Sequence, residues 1–165
     1  MKFINKILVP TDLSDLSLAA MEYAVSISKI YNAKITMVYV IEQSPAFTFP
    51  EVDYNSETLL RDALINAGEE LRKFVDNKLP LSRSINTVVR RGDPRKEIVK
   101  YAEDEEFDMI VMATHGRTGF AHMLMGSIAE HIVRSSAVPV LTVKPEEMQN
   151  NVVAGKEFQN HFNSN

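Results

Sequence analysis

Residues 108–127 read Asp108-Met-Ile-Val-Met-Ala-Thr-His-Gly-Arg-Thr-Gly-Phe-Ala-His-Met-Leu-Met-Gly-Ser127, and this one stretch carries a strand, a loop and the start of a helix. Asp108 to Ala113 is a short apolar run, too short for an isolated helix and typical of a strand buried on both faces. A loop of mixed character runs on to Met125. Gly126-Ser127 then opens a helix on which Ile128, His131, Ile132 and Ser135 are expected to share one face, and Pro139 to Val143 is the next strand. Strand, helix and strand in that order form a βαβ unit, whose crossover is right-handed and whose strands are parallel.

Upstream the same unit recurs. Lys6-Ile-Leu-Val-Pro10 is a strand stopped by proline, with Thr11, Asp12 and Ser14 after it as capping types. From Asp15 to Tyr31, Leu16, Ala20, Tyr23, Ala24, Ile27 and Ile30 recur at helical spacing. Lys34 to Ile41 is rich in β-branched residues and reads as a second buried strand. Ser44 to Asn55, with two prolines and no periodicity, is expected to be a surface loop. Leu60, Ala63, Leu64, Ala67, Leu71 and Phe74 mark a longer helix that ends near Asn77, before Pro80. Ser84 to Arg90 is strand three. Gly92-Asp93-Pro94 is a turn with proline at the first helical position, and the helix it starts closes at Glu106 with Ile98, Tyr101 and Ala102 inward.

Five strands alternating with four helices make an α/β domain, a doubly wound five-stranded parallel sheet with helices on both faces, over residues 1–145. Residues 146–165 contain five asparagines and little apolar material, and are expected to be a flexible polar tail. At 165 residues and 45% hydrophobic, the chain supports one core and asks for no second domain.

Eighteen basic residues against 22 acidic give a net charge of −4, which leaves no electrostatic footprint for nucleic acid or an anionic membrane. The absence of cysteine excludes a disulfide framework, a thiolate metal site and a thiol nucleophile, and fits a reducing cytoplasm. Met1-Lys-Phe-Ile-Asn-Lys6 reaches charge before any apolar leader forms, and no apolar run approaches the roughly 18 residues of a spanning helix, so a cytoplasmic protein is expected.

In a doubly wound sheet, ligands bind beyond the carboxyl ends of the strands, where the strand order reverses. That rule points to the loops after strands one and four: Val9-Pro10-Thr11-Asp12, and Ala113-Thr-His-Gly116 through Gly126-Ser127. A helix N-terminus has unpartnered N–H groups and a positive dipole end, so Gly126-Ser127 suits an anion. Glycine removes the Cβ that would keep phosphate oxygens off the main chain, the Ser127 hydroxyl adds a donor, and Gly116 permits a second close approach. Arg117 either adds charge there or is merely solvated. No lysine follows Gly126, so this is not a Walker loop. Asp12 either caps the first helix or touches a ligand. His115, His122 and His131 match no common metal-ligand spacing, so no metal site is expected.

Ala113-x-x-Gly116, nine residues, then Gly126-Ser127 resembles the nucleotide-binding signature G-x2-G-x9-G-(S/T) of the universal stress protein family, with only the first glycine changed. Ile7-Leu-Val-Pro-Thr-Asp-Leu-Ser14, Val40, the Gly92-Asp-Pro turn, Asp108-Met-Ile-Val-Met and Val138-Pro-Val-Leu-Thr-Val143 extend the resemblance from Lys6 to Lys144. The resemblance implies a Rossmann-like fold of the adenine-nucleotide α-hydrolase kind, holding ATP with magnesium as the usual companion of its phosphates. It implies that Pro10, Thr11 and Asp12 lie near the adenosine, that the Val40 backbone meets adenine, and that Ala113, His115, Gly116, Arg117, Gly126, Ser127 and Ile128 surround ribose and phosphates. It further implies a homodimer through the strand Pro139 to Val143. The expected function is an ATP-binding regulatory module of the stress response. The alternatives are a slow ATPase, or a dimeric interaction protein that no longer binds nucleotide because of Ala113 and the bulky Met123-Leu-Met125.

Overall fold

The computed structural model describes residues 3–42, 54–79, 85–116 and 125–145. Its elements are β1 (Lys6–Thr11), α1 (Ala19–Tyr31), β2 (Lys34–Glu42), α2 (Tyr54–Lys78), β3 (Asn86–Gly92), α3 (Pro94–Asp104), β4 (Met109–Ala113), α4 (Ser127–Ser135) and β5 (Val140–Val143), with a 3-10 turn at Asp15–Leu18 before α1. All four strand pairings are parallel, in the order β3-β2-β1-β4-β5. The doubly wound architecture read from the sequence is the one observed.

Strands buried on both faces must be apolar throughout, and β1 and β4 obey this: Ile7, Leu8, Val9, Ile110 and Val111 have no solvent exposure. One face of the sheet carries Ile7, Val9, Ile35 and Met37 against Ala20, Met21 and Ala24 of α1 and Leu71 and Val75 of α2. The other carries Leu8, Val38 and Ile110 against Ile98 and Ala102 of α3 and Ala129 and Ile132 of α4. Alternation along each strand therefore feeds two separate cores.

Several boundaries and faces differ from the sequence reading. The first helix opens as a 3-10 turn, and its buried face is Ala20, Met21, Ala24, Val25 and Ser28, while Tyr23 is 53% and Ile30 76% exposed. Apolar residues cover more than one side of α1, and the sheet takes the side where Ala20 and Ala24 allow closest approach. The second helix starts at Tyr54, inside the segment expected to be loop; residues 43–53 lie outside the described ones, as do Arg117 and the tail 146–165. On α4, Ala129 and Ile132 face inward and His131 and Ser135 are exposed, which corrects the face expected for them; the Ser135 hydroxyl donates to the His131 carbonyl at 2.6 Å. Strand β3 sits two residues later than expected because an edge strand tolerates charge: Arg90 packs over the Tyr101 ring at 5.2 Å and pairs with Glu97 at 3.3 Å.

Helix α3 starts where the Asp-Pro pair places it. Pro94 occupies the first turn, and the Asp93 carboxylate accepts from the Arg95 amide at 3.0 Å and from its guanidinium at 2.9 Å. The side-chain bond to Arg95 holds the Asp93 carboxyl below its ordinary range, against the opposing push of burial. A depressed carboxyl stabilises the fold above the unfolded-state value, and that contribution is lost as pH falls through the folded-state value. Asp93→Ala is therefore expected to cost about 1 kcal/mol in denaturant unfolding at pH 7. The difference from the parent chain should shrink in acid, as Asp93 protonates.

Candidate functional site

The strand order reverses between β1 and β4, and these two strands are in register only through Ile7↔Met109 and Leu8↔Ile110. Beyond that point their carboxyl ends part, and the crevice of a doubly wound sheet opens between them. The loops that follow β1 and β4 form its two lips.

The first lip is a tight turn built by its own side chains. Pro10 ends the apolar run without an N–H to satisfy, and Thr11 is buried with its hydroxyl accepting the Leu13 amide at 2.9 Å and lying 2.7 Å from the Ser17 hydroxyl. Leu13 adopts a left-handed φ of 64°, which a β-carbon disfavours and these local bonds hold in place. Asp12 Oδ1 accepts the Ser14 amide at 3.1 Å and the Ser14 hydroxyl at 2.5 Å, while the Ser14 hydroxyl accepts the Ser17 amide and caps the 3-10 turn. Capping thus falls to Ser14, and Asp12 orients the cap. Ser14 and Ser17 were not singled out as site residues, although the Asp-x-Ser spacing is an Asx-turn signal that the sequence contains.

The second lip begins at Ala113, the last residue of β4, buried and in register with Val143. Among the described non-glycine residues, only Leu13, Asn32 and Glu106 have positive φ. The alanine that replaces the signature's first glycine therefore lies in extended strand and costs no backbone strain, as its place at a strand end implies. Thr114 donates its amide to the Val143 carbonyl at 2.8 Å and accepts the Gly126 amide at the same distance, so the two ends of the intervening loop are clamped together. His115 is 6% exposed, with Nδ1 2.9 Å from the Thr114 hydroxyl. His131 lies exposed on α4, so these two histidines sit in unlike surroundings.

Both site glycines are explained by close approach. A Cβ on Gly116 would stand 2.2 Å from Asp12 Oδ2, and one on Gly126 would stand 3.2 Å from the Thr114 carbonyl oxygen. Gly116 is where the two lips touch. Gly116→Ala is expected to push the Asp12 carboxylate out of its turn, lowering stability by about 1–3 kcal/mol, and Asp12→Ala in the same chain should recover most of that loss. A thermal double-mutant cycle reads the coupling directly.

Helix α4 starts at Gly126, whose φ of −69° and ψ of 151° are those of an extended cap, and as glycine it supplies no side-chain cap. The first-turn amides at Ser127 and Ile128 thus present a positive dipole end that the N-cap residue itself does not cover with a side chain. Val40, buried near the carboxyl end of β2, is one residue past the last β1 pairing, Thr11↔Tyr39. Asp12 and Gly116 meet across the crevice, with Pro10 and Thr11 preceding Asp12 and Ala113 and His115 preceding Gly116 along the chain; Gly126 is tied to the second lip through Thr114, and Arg117 lies outside the described residues. The arrangement offers an anion site of main-chain donors on one lip and a carboxylate on the other.

A family model described as the universal stress protein family matches residues 4–144. Universal stress protein MJ0531 of Methanocaldococcus jannaschii is 38% identical over 141 residues, covering 85% of this chain and 82% of its own length. MJ0577 of the same organism is 29% identical over 156 residues, and its solved structure matches with a TM-score of 0.72 at 27% identity, covering 87% of this chain and 97% of that one. A universal stress protein crystallised in complex with cAMP matches with a TM-score of 0.61 at 27% identity, over 87% of this chain and 99% of that one.

Proposed function

The chain belongs to the universal stress protein family, and from that premise we propose that it is a regulatory module of the stress response that takes ATP in the crevice between β1 and β4. The observation that carries this reading is the N-terminus of α4, whose cap residue is a glycine without a side chain and which stands beside the Asp12–Gly116 contact at the point where strand order reverses. Phosphate is the ligand class such a terminus favours, because it accepts several amide bonds at once and carries the matching charge. A relative with 27% identity was crystallised with cAMP, which supports an adenine nucleotide.

In this reading the amides of Ser127 and Ile128, with the Ser127 hydroxyl, hold phosphate oxygens. Gly116 and Arg117 border the ribose and phosphates, with Ala113 and His115 walling the loop behind them. Pro10 and Thr11 shape the adenosine side, and the Val40 backbone meets the adenine edge. Asp12 would serve as a hard oxygen donor to magnesium, whose role is to neutralise phosphate charge. The free edge of β5 carries the homodimer, continuing the sheet into a second subunit through Pro139 to Val143. Among the described residues no helix is long and apolar enough to cross a membrane, which agrees with a place in the cytoplasm.

Amide chemical-shift mapping during ATP addition tests the site. The largest shifts are expected at Asp12, Val40, Gly116, Ser127 and Ile128. Shifts confined to residues away from the crevice would move the nucleotide elsewhere.

A further inference from the structure

An open depression lies away from that crevice, between α2 and the edge strand β3. It is a groove of about 720 Å³ lined by Leu60, Leu64, Ile65, Gly68, Thr87 and Val89, with Glu57, Arg61 and Arg72 along its rim. Leu64 is 39% and Ile65 51% exposed, a large apolar pair left facing water. A Cβ on Gly68 would meet nothing within 4 Å, so the helix carries a notch beside that pair. Glu57, Arg61 and Arg72 are exposed and make no ion pair with another described residue.

The order of these residues along α2 is self-complementary. Positions 57, 61, 64, 68 and 72 follow one another at three- and four-residue steps, with 65 four residues after 61 and three before 68, and so lie along one flank of the helix. When α2 is laid antiparallel against a copy of itself about a two-fold axis between Leu64 and Ile65, each residue meets the one whose number completes 129. Glu57 then faces Arg72 of the other copy, twice over. Leu64 and Ile65 meet their counterparts at the axis, and Arg61 passes over the notch at Gly68. No like charges come opposite one another in this register. A two-fold axis normal to the sheet also sets β3, an outermost strand, antiparallel beside its copy, so one axis serves both helix and sheet edge.

We propose that this groove is a second self-association surface, whose occupant is the α2 helix of another copy of this chain, at the edge of the sheet opposite β5. It makes assemblies larger than the β5 dimer and is independent of nucleotide. A foreign partner has no reason to require the symmetry of Glu57 and Arg72 about the apolar pair, and a second copy does.

The full chain has no cysteine, so single-cysteine variants report contacts without background. Under mild copper–phenanthroline oxidation, Ile65→Cys is expected to give a covalent dimer while Glu70→Cys, on another side of α2, stays monomeric in denaturing gels. In sedimentation velocity, Arg72→Glu should weaken association through this face about tenfold by turning two attractions into repulsions, and adding Glu57→Arg should restore it. Equal cross-linking of both cysteine variants, or none at position 65, overturns the proposal. A charge-swapped double variant that associates as poorly as Arg72→Glu alone overturns it too, and assigns the groove to a different partner.

Discussion

Gly126→Asp is expected to abolish nucleotide binding while leaving the fold as stable as before. The extended φ and ψ of Gly126 are open to any residue, and aspartate is among the best N-cap residues, so the helix loses nothing by the change. The new Cβ approaches the Thr114 carbonyl at 3.2 Å, a crowding that costs some of the capping gain. The carboxylate, however, occupies the first-turn amides of α4 and places a negative charge where the phosphates are proposed to sit. Losing several charge-assisted bonds and adding repulsion should weaken ATP at least about 100-fold. Titration and scanning calorimetry on the same sample read both halves of this expectation. A variant that binds ATP as the parent does would remove the α4 terminus from the site.

Ile110→Ala is expected to give the largest loss of stability from a single truncation, and through the sheet rather than the site. Ile110 has no solvent exposure, lies in register with Leu8 of β1 and Val140 of β5, and belongs to the cluster of Val38, Ile98, Phe107 and Ile132. Strands on both sides prevent collapse of the cavity, so the cost falls at about 2–5 kcal/mol. For a chain of this size that lowers the melting temperature by roughly 5–20 °C. Val133→Ala, on the exposed face of α4, removes two methyl groups from solvent and should change stability by less than about 0.5 kcal/mol. Thermal unfolding of the pair separates burial from mere hydrophobicity; similar shifts for both would contradict the packing described.

Strands were the most legible part of the sequence. Runs such as Ile7-Leu-Val9 and Met109-Ile-Val-Met112 are apolar on both faces and bounded by proline or aspartate, which leaves little room for another reading. Helix faces were less legible. On α1, Tyr23 and Ile30 keep the same spacing as the residues that face the sheet, and only the close approach permitted by Ala20 and Ala24 decides between the two sides. The start of α2 was missed because Tyr54 to Thr58 offers no apolar periodicity, and the helix there extends beyond the residues that anchor it at Leu71 and Val75.

At the site, topology located both loops, because the switch-point rule needs only the order of elements. The reason for Gly116 was not available from the chain alone. Spacing suggested room for a ligand, whereas the close contact is with the Asp12 carboxylate across the crevice, a pairing of residues 104 positions apart. The bond between Thr114 and Val143, which sets the angle at which the second loop leaves the sheet, likewise joins residues that are not neighbours in the chain. Ala113 was legible once its place at the end of β4 was recognised, since an extended backbone does not need glycine.

Calorimetric titration of the purified full chain with ATP, ADP, AMP and cAMP, with and without magnesium, tests the central claim most directly. Saturable binding of one nucleotide per chain, tightest for ATP and strengthened by magnesium, is the predicted result. Absence of heat with all four nucleotides, on protein shown to be folded, would contradict it and leave the family's fold here serving association between chains instead.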